Sequence, residues 1–259
     1  MSAEMVLNQV QARLASSSIG NRILYFPSVG STMDVAKQQA KKNASEGTVI
    51  ISNKQTSGRG RFGRKWVSEF GENLLFSVLL YPEQKMLSNL NVIASLSLLR
   101  AIQQETTLLP TLKWPNDVLL RGKKVGGILI ETAVLAGRVK YAIIGFGVNI
   151  NSNPTQVPEI SKFSTSIANE LGRDVSRETL FETVLVQLSD SYNSLREWMD
   201  VRNQWESYLE TIGSHVRVVW GNETEEGLAE GVDYDGNLVL RRSDGTTVTL
   251  SGGDVTLKG

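Results

Sequence analysis

QTSGRGRFGRKW, residues 55–66, packs three glycines, three arginines, one lysine and two aromatics into twelve positions. Gly58, Gly60 and Gly63 spell G-x-G-x-x-G, and the fold class turns on whether that spelling is a dinucleotide fingerprint. Such a fingerprint needs a tight strand-to-helix turn, a helix N-terminus under the pyrophosphate, and an acidic residue about twenty positions on. Here Arg64-Lys65-Trp66-Val67 leads to another glycine turn and then a strand, so the helix is missing. Glu83 stands near the required distance but follows Tyr81-Pro82, past the end of the second strand. No Gly-Lys-Ser/Thr follows either, which removes a Walker A loop.

The flanking residues replace a doubly wound reading with an α+β one. TVIISN (48–53) and NLLFSVLLY (73–81) are apolar, β-branched runs that predict strands on either side of the loop. Upstream, Ser31-Thr32-Met33-Asp34 opens a helix to about Asn43, with Ser31 and Asp34 spaced as a capping box. Downstream, a helix over 88–107 precedes LKW, a Pro115-Asn116-Asp117 turn, VLL, a Gly122 turn, KVGGILIETAVL and VKYAIIGFGVNIN. This order predicts a mixed β-sheet with antiparallel hairpins, flanked by helices. Residues 152–163 read as an exposed or mobile connection and 176–209 as helix-rich. After Thr211-Ile212-Gly213 come VRVVW, GLAEGVDY, NLVLRR and TTVTL with Asp-Gly turns, a compact β unit resembling a small SH3-like barrel. The chain thus divides into 1–211 and 212–259. A strand near residues 139–149, if it lay at the sheet edge, would offer a way to pair two subunits as a homodimer.

Composition removes whole reaction classes. With no cysteine and one histidine among 259 residues, a thiol nucleophile and a Cys/His zinc site are excluded, and no metal site is expected. His215 sits in a strand-like run and reads as a partly buried strand residue rather than a catalytic base. Twenty-seven basic residues balance twenty-seven acidic ones, so no global field attracts DNA or an anionic membrane. No apolar run is long enough to span a bilayer, the N-terminus reads as a short amphipathic helix, and the absence of cysteine points to the cytoplasm.

Any anion site must therefore be local. In the loop, glycines permit close backbone approach while Arg59, Arg61, Arg64 and Lys65 offer charge-assisted hydrogen bonds to phosphate or carboxylate. Mutual repulsion predicts a lid that is mobile until an anion orders it. A solvated basic loop and a single-stranded nucleic-acid contact share these features, although balanced charge disfavours the second. Lys113 beside its Pro-Asn-Asp turn, and Lys123-Lys124 before Gly127, place two more basic, turn-associated sites on the same sheet. Together they suggest a cationic cup.

Four stretches, QTSGRGRFGRKW, KWPND (113–117), KKVGGILIE (123–131) and GFGVNIN (145–151), resemble biotin protein ligases in order and spacing. Ser31-Thr32 occupies the place of that family's Ser-Thr pair, and the likeness runs from about residue 22 to 259, including SGGD (251–254). The resemblance implies the class II synthetase-like fold of biotin and lipoate ligases, with an SH3-like C-terminal unit. It also implies a ligase forming a C–N bond, with ATP and biotin as substrates, Mg²⁺ accompanying ATP, and a biotin carboxyl carrier protein of a carboxylase as partner.

By the same resemblance Arg61, Lys113 and Lys124 are catalytic; Ser31, Thr32, Gln55, Gly58, Arg59, Gly127 and Leu129 surround biotin. Arg61, Trp66, Lys113, Asn116, Lys124 and Asn149 take the adenylate. Met33 departs from the family's frequent Asn, and Phe62 from a frequent polar or basic residue. About twenty residues precede the first strand, too few for the winged helix-turn-helix of repressor-ligases, which implies a monofunctional type that does not read DNA. Lipoate ligase and octanoyl transferase are the rivals on this fold, and absent cysteine removes the thiol route. A non-catalytic sensing module is the rival of another class, and it would be expected to lack one of Arg59, Arg61, Lys113 and Lys124.

Overall fold

A computed structural model describes residues 3–196 and 201–257. In chain order it contains α1 (Ala3–Arg13), β1 (Arg22–Phe26), α2 (Thr32–Lys41), β2 (Thr48–Ser52), β3 (Asn73–Leu80) and α3 (Leu90–Glu105). Then come β4 (Thr111–Lys113), β5 (Asp117–Leu120), β6 (Lys123–Leu135), β7 (Arg138–Asn149), α4 (Ile167–Leu171), α5 (Arg177–Arg196) and α6 (Arg202–Glu206). The chain closes with β8 (His215–Trp220), β9 (Glu223–Val232), β10 (Leu238–Arg241), β11 (Thr247–Leu250) and β12 (Asp254–Leu257). Residues 197–200 of the expected helix-rich stretch, and the first residues of the expected N-terminal helix, lie outside the described residues.

The first sheet has order β1-β2-β3-β7-β6-β5-β4, parallel only between β1 and β2, where α2 makes the crossover. The α+β reading with antiparallel hairpins holds. The edge-strand expectation does not: β7 lies inside the sheet, paired with β3 from Ala142 to Asn149 and with β6 on its other side. The residues of a strand report which face is buried but not which neighbours lie beside it.

The two faces of this sheet differ in a way that makes the site. On one face Phe76 and Phe146, direct partners across β3 and β7, stack at 4.5 Å, and Phe181 of α5 meets Phe76 edge-on at 5.2 Å. Helix α3, buried on nearly every side, packs in this layer. On the opposite face α2 covers Ile50, Leu79 and Ile143 with Met33, Ala36 and Ala40. Along β7 the residues on that face after Ile143 are Gly145, Gly147 and Asn149. Their partners on β6 are Leu129 opposite Gly145 and Gly127 opposite Gly147. Met33, in the first turn of α2, packs on Gly145, and beyond it the sheet presents glycine backbone at Gly127 and Gly147.

The second sheet, order β11-β10-β9-β8-β12, is antiparallel throughout, in keeping with an SH3-like unit. Its fifth strand, β12, was not foreseen: SGGDVTLKG is short and led by glycines, so its strand character rests on pairing with β8. His215 is exposed at the start of β8 rather than partly buried. No helix among the described residues is long and apolar enough to cross a membrane.

Candidate functional site

A cavity of about 510 Å³ opens over the bare strip of β6 and β7. Of the residues singled out in the sequence, Ser31, Thr32, Gln55, Arg59, Arg61, Trp66, Lys113, Asn116, Lys124, Gly127, Leu129 and Asn149 all line it. Gly58 does not. It lies at the base of the lid hairpin, where an added Cβ would stand 2.9 Å from the Trp66 carbonyl oxygen.

The lid is a small closed hairpin. Trp66 N–H donates to the Gly58 carbonyl at 2.9 Å, Gly60 N–H donates to Arg64 at 2.7 Å, and Arg59 bridges Lys65. A single 3₁₀ turn, Arg61–Gly63, makes its tip, with Phe62 at φ +54° and exposed. The Trp66 indole lies on the glycine pair of the sheet: a Cβ at Gly147 would stand 2.6 Å from its ring. The indole is held where only glycine allows it.

One end of the cavity is polar but uncharged. Gln55 accepts from the Thr32 N–H at 2.8 Å and from its hydroxyl at 3.1 Å, and that hydroxyl also meets Ser77 Oγ at 2.7 Å. Met33 and Leu129 add apolar walls. The expected capping box at Ser31 is not formed: Ser31 occupies the N-cap position but makes no side-chain cap hydrogen bond. Asp34 turns instead to Arg59, accepting 2.9 and 2.8 Å hydrogen bonds from both guanidinium arms. A guanidinium fork outcompetes a single hydroxyl for a carboxylate.

The other end is cationic. Lys124 Nζ lies 2.6 Å from Asp117 Oδ1 and 5.7 Å from the Trp66 ring centroid. Lys113, at the end of β4, also faces this cavity. Arg61 is half-buried, and burial pushes its pKa down, opposed by Asp254 and Asp117. Its Nη1 donates to the Gly253 carbonyl at 3.2 Å. A guanidinium carries five donors, so capacity for an anion remains. Two asparagines are already engaged as struts. Asn116 donates to the Ile128 carbonyl, while Asn149 accepts from Asn73 at 2.9 Å and donates to the Thr165 carbonyl at 3.1 Å.

The structure adds residues that were not singled out. Asp117 and Glu131 were inside quoted motifs. Glu131 shares a face with Gly127 and Leu129 by the two-residue period of a strand, a signal that could have found it. Gly253, just before β12, and Asp254 at its start reach the cavity, and Arg64 forms an ion pair with Asp254. Phe163 and Lys162 close the side, because the 152–163 connection does not simply run through solvent: Lys124 N–H donates to the Phe163 carbonyl at 2.8 Å, and Thr165 N–H donates back to Lys124 at 2.9 Å. Nothing in the sequence revealed that pairing.

Two family models match the chain: the biotin/lipoate A/B protein ligase family over residues 25–149, and the biotin protein ligase C-terminal domain over 211–258. The bifunctional ligase/repressor BirA of Bacillus subtilis is 32% identical over 246 residues, 92% of this chain and 75% of its own length. The biotin–[acetyl-CoA-carboxylase] ligase of Mycobacterium tuberculosis is 29% identical over 272 residues, covering 96% of this chain and 97% of its own. Among solved structures, the biotin protein ligase from Aquifex aeolicus in complex with biotin and ATP superposes with a TM-score of 0.78 at 28% identity, covering 92% of this chain and 98% of that one. The chain is therefore a ligase and belongs to the biotin protein ligases of the biotin/lipoate A/B protein ligase family.

Proposed function

We propose that this chain joins biotin to ATP, giving biotinyl-5'-AMP and pyrophosphate, and then transfers the biotinyl group to a lysine of a biotin carboxyl carrier domain. The observation that carries this reading is the polarity of one cavity: an uncharged, hydrogen-bonding end at Ser31, Thr32 and Gln55 leads to a cationic end at Arg61, Lys113 and Lys124. Biotin has that shape, a ureido ring at one end and a carboxylate at the other. The bound biotin and ATP of the Aquifex relative support the same substrates here.

In the first step a biotin carboxylate oxygen attacks the α-phosphorus. The new O–P bond forms as the bond to the β-phosphate oxygen breaks, and pyrophosphate leaves with both electrons. Attack by the substrate's own carboxylate requires no protein nucleophile. The protein's work is to align two anions and to stabilise charge on the phosphate oxygens. Lys124 and Arg61 supply that charge, and Asp117 holds Lys124 in place. Lys113 sits beside them on the nucleotide side, and Phe163 offers a ring face for a base. Magnesium enters as part of the ATP substrate.

In the second step the neutral amine of the carrier lysine attacks the mixed anhydride carbonyl. The amide C–N bond forms as the acyl C–O bond breaks, AMP leaves with that electron pair, and the nitrogen's proton passes to solvent. Trp66 and the lid over the adenylate limit hydrolysis by water. Purified protein with ATP, Mg²⁺ and either biotin or lipoate tests the reading. Pyrophosphate release with biotin is expected; release with lipoate alone overturns it.

A further inference from the structure

Arg59 carries a charge that the sequence offers to an anion, but the structure commits it elsewhere. Both arms of its guanidinium hold Asp34, and its Nε donates to Glu131 Oε1 at 3.1 Å. The other Glu131 oxygen takes Lys37 Nζ at 2.5 Å. Two carboxylates and two cations therefore neutralise one another beside the Ser31–Met33 wall of the cavity, where only Arg59 of the four lines it. They come from three elements: Asp34 and Lys37 from α2, Arg59 from the lid, and Glu131 from β6.

Placement ties this cluster to ligand binding. Gly127, Leu129 and Glu131 form one row on β6, and the first two line the cavity. Asp34 lies in the first turn of α2, immediately after the lining residues Ser31, Thr32 and Met33. Arg59 stands between Gly58 and Gly60, whose backbones form the hairpin's closing hydrogen bonds. Fixing the Arg59 side chain thus fixes a stretch of lid that has no other side-chain anchor between Gly58 and Gly60.

We propose that Glu131, with Asp34, is a positioning residue for the biotin end of the site: it clamps the front of the lid through Arg59, so that Arg59 organises the pocket rather than neutralising phosphate. Resting on the biotin ligase reading, the clamp sets biotin capture and leaves adenylation chemistry to Arg61 and Lys124. Arg59 in this role contributes the shape of its fork. A lysine, with one point of charge, cannot hold Asp34 through two arms and Glu131 through a third donor.

The test compares E131Q, D34N and R59K with the parent chain in biotin-dependent exchange of pyrophosphate into ATP, alongside trypsin cleavage of the unliganded lid. E131Q is expected to raise the KM for biotin at least tenfold, with kcat and the KM for ATP within twofold. R59K should raise the biotin KM similarly, and E131Q/R59K should add little to either. Lid cleavage should quicken several-fold in each variant. A biotin KM and cleavage rate unchanged in E131Q overturn the clamp, and so does a fall in kcat with an unchanged KM. Absence of biotin-dependent exchange in the parent chain defeats the ligase reading instead, and lid cleavage then decides the clamp by itself.

Discussion

Arg64 of the lid and Asp254 of β12 form an ion pair across 190 positions of sequence. Beside it, Arg61 donates to the Gly253 carbonyl at 3.2 Å. The second sheet thus latches the back of the lid at the cationic end of the cavity, as Asp34 and Glu131 hold its front. The Arg64 side chain is 68% exposed and that of Asp254 35%, so the pair contributes at most about 1 kcal/mol to folding. Asp254→Asn should therefore leave thermal stability nearly unchanged while raising the KM for ATP and the hydrolytic loss of biotinyl-adenylate. Exchanging the charges, R64D with D254R, should recover part of the loss. An unaltered ATP KM in D254N would dismiss the latch.

Lys124 tests the chemistry itself. Its ammonium sits between Asp117 at 2.6 Å and the Trp66 ring at 5.7 Å, and makes no contact with the Thr32–Gln55 pair. Lys124→Ala should lower single-turnover adenylation by about 10²- to 10³-fold, the usual cost of one electrostatic donor, while biotin affinity changes little. Near-parental adenylation in that variant would remove Lys124 from the mechanism.

How far the site was legible follows from the same residues. The loop glycines and Gly127 announce close backbone approach in the sequence, and the motifs carrying Arg61, Lys113 and Lys124 announce charge. The placing of Gly145 and Gly147 on the same sheet face as Gly127 emerges instead from the strand register. The sequence could not say that Arg59 is occupied. Its partners lie 25 and 72 positions away, and only the crossover through α2 brings Asp34 beside the lid. The same limit hid β12, whose strand character depends on β8, and the pairing of residues 163–165 with Lys124. Local pattern fixes which face of an element is buried; long-range partners are settled by topology.

Gly147 connects bare backbone to lid closure. A Cβ there would stand 2.6, 2.8 and 2.9 Å from three atoms of the Trp66 indole, which is a ring face rather than a flexible tip. Gly147→Ala should lift Trp66 off the sheet, raise the KM for both substrates about tenfold, and speed tryptic cleavage within residues 59–65. The backbone at Gly147 does not need a left-handed conformation, so the fold itself should change by no more than about 1 kcal/mol. Unchanged cleavage would mean that the indole has another seat.

Glu131 makes the front clamp sensitive to acid, and the direction follows from its surroundings. Burial pushes its carboxyl up, but hydrogen bonds from Lys37 and Arg59 and their charges outweigh burial and hold it below the ordinary range. A carboxyl lowered by folding contributes stability above its unfolded pKa, about 4.3, and loses it as pH falls through the lower folded value. The stability difference between the parent chain and E131Q should therefore be constant from pH 8 to 6 and shrink below about pH 4. Arg59 stays charged throughout, so the carboxylate alone sets the window. Urea unfolding of both chains at pH 7, 5, 4 and 3 measures it. A difference that persists undiminished at the lowest pH would show that Glu131 acts by shape and not by charge.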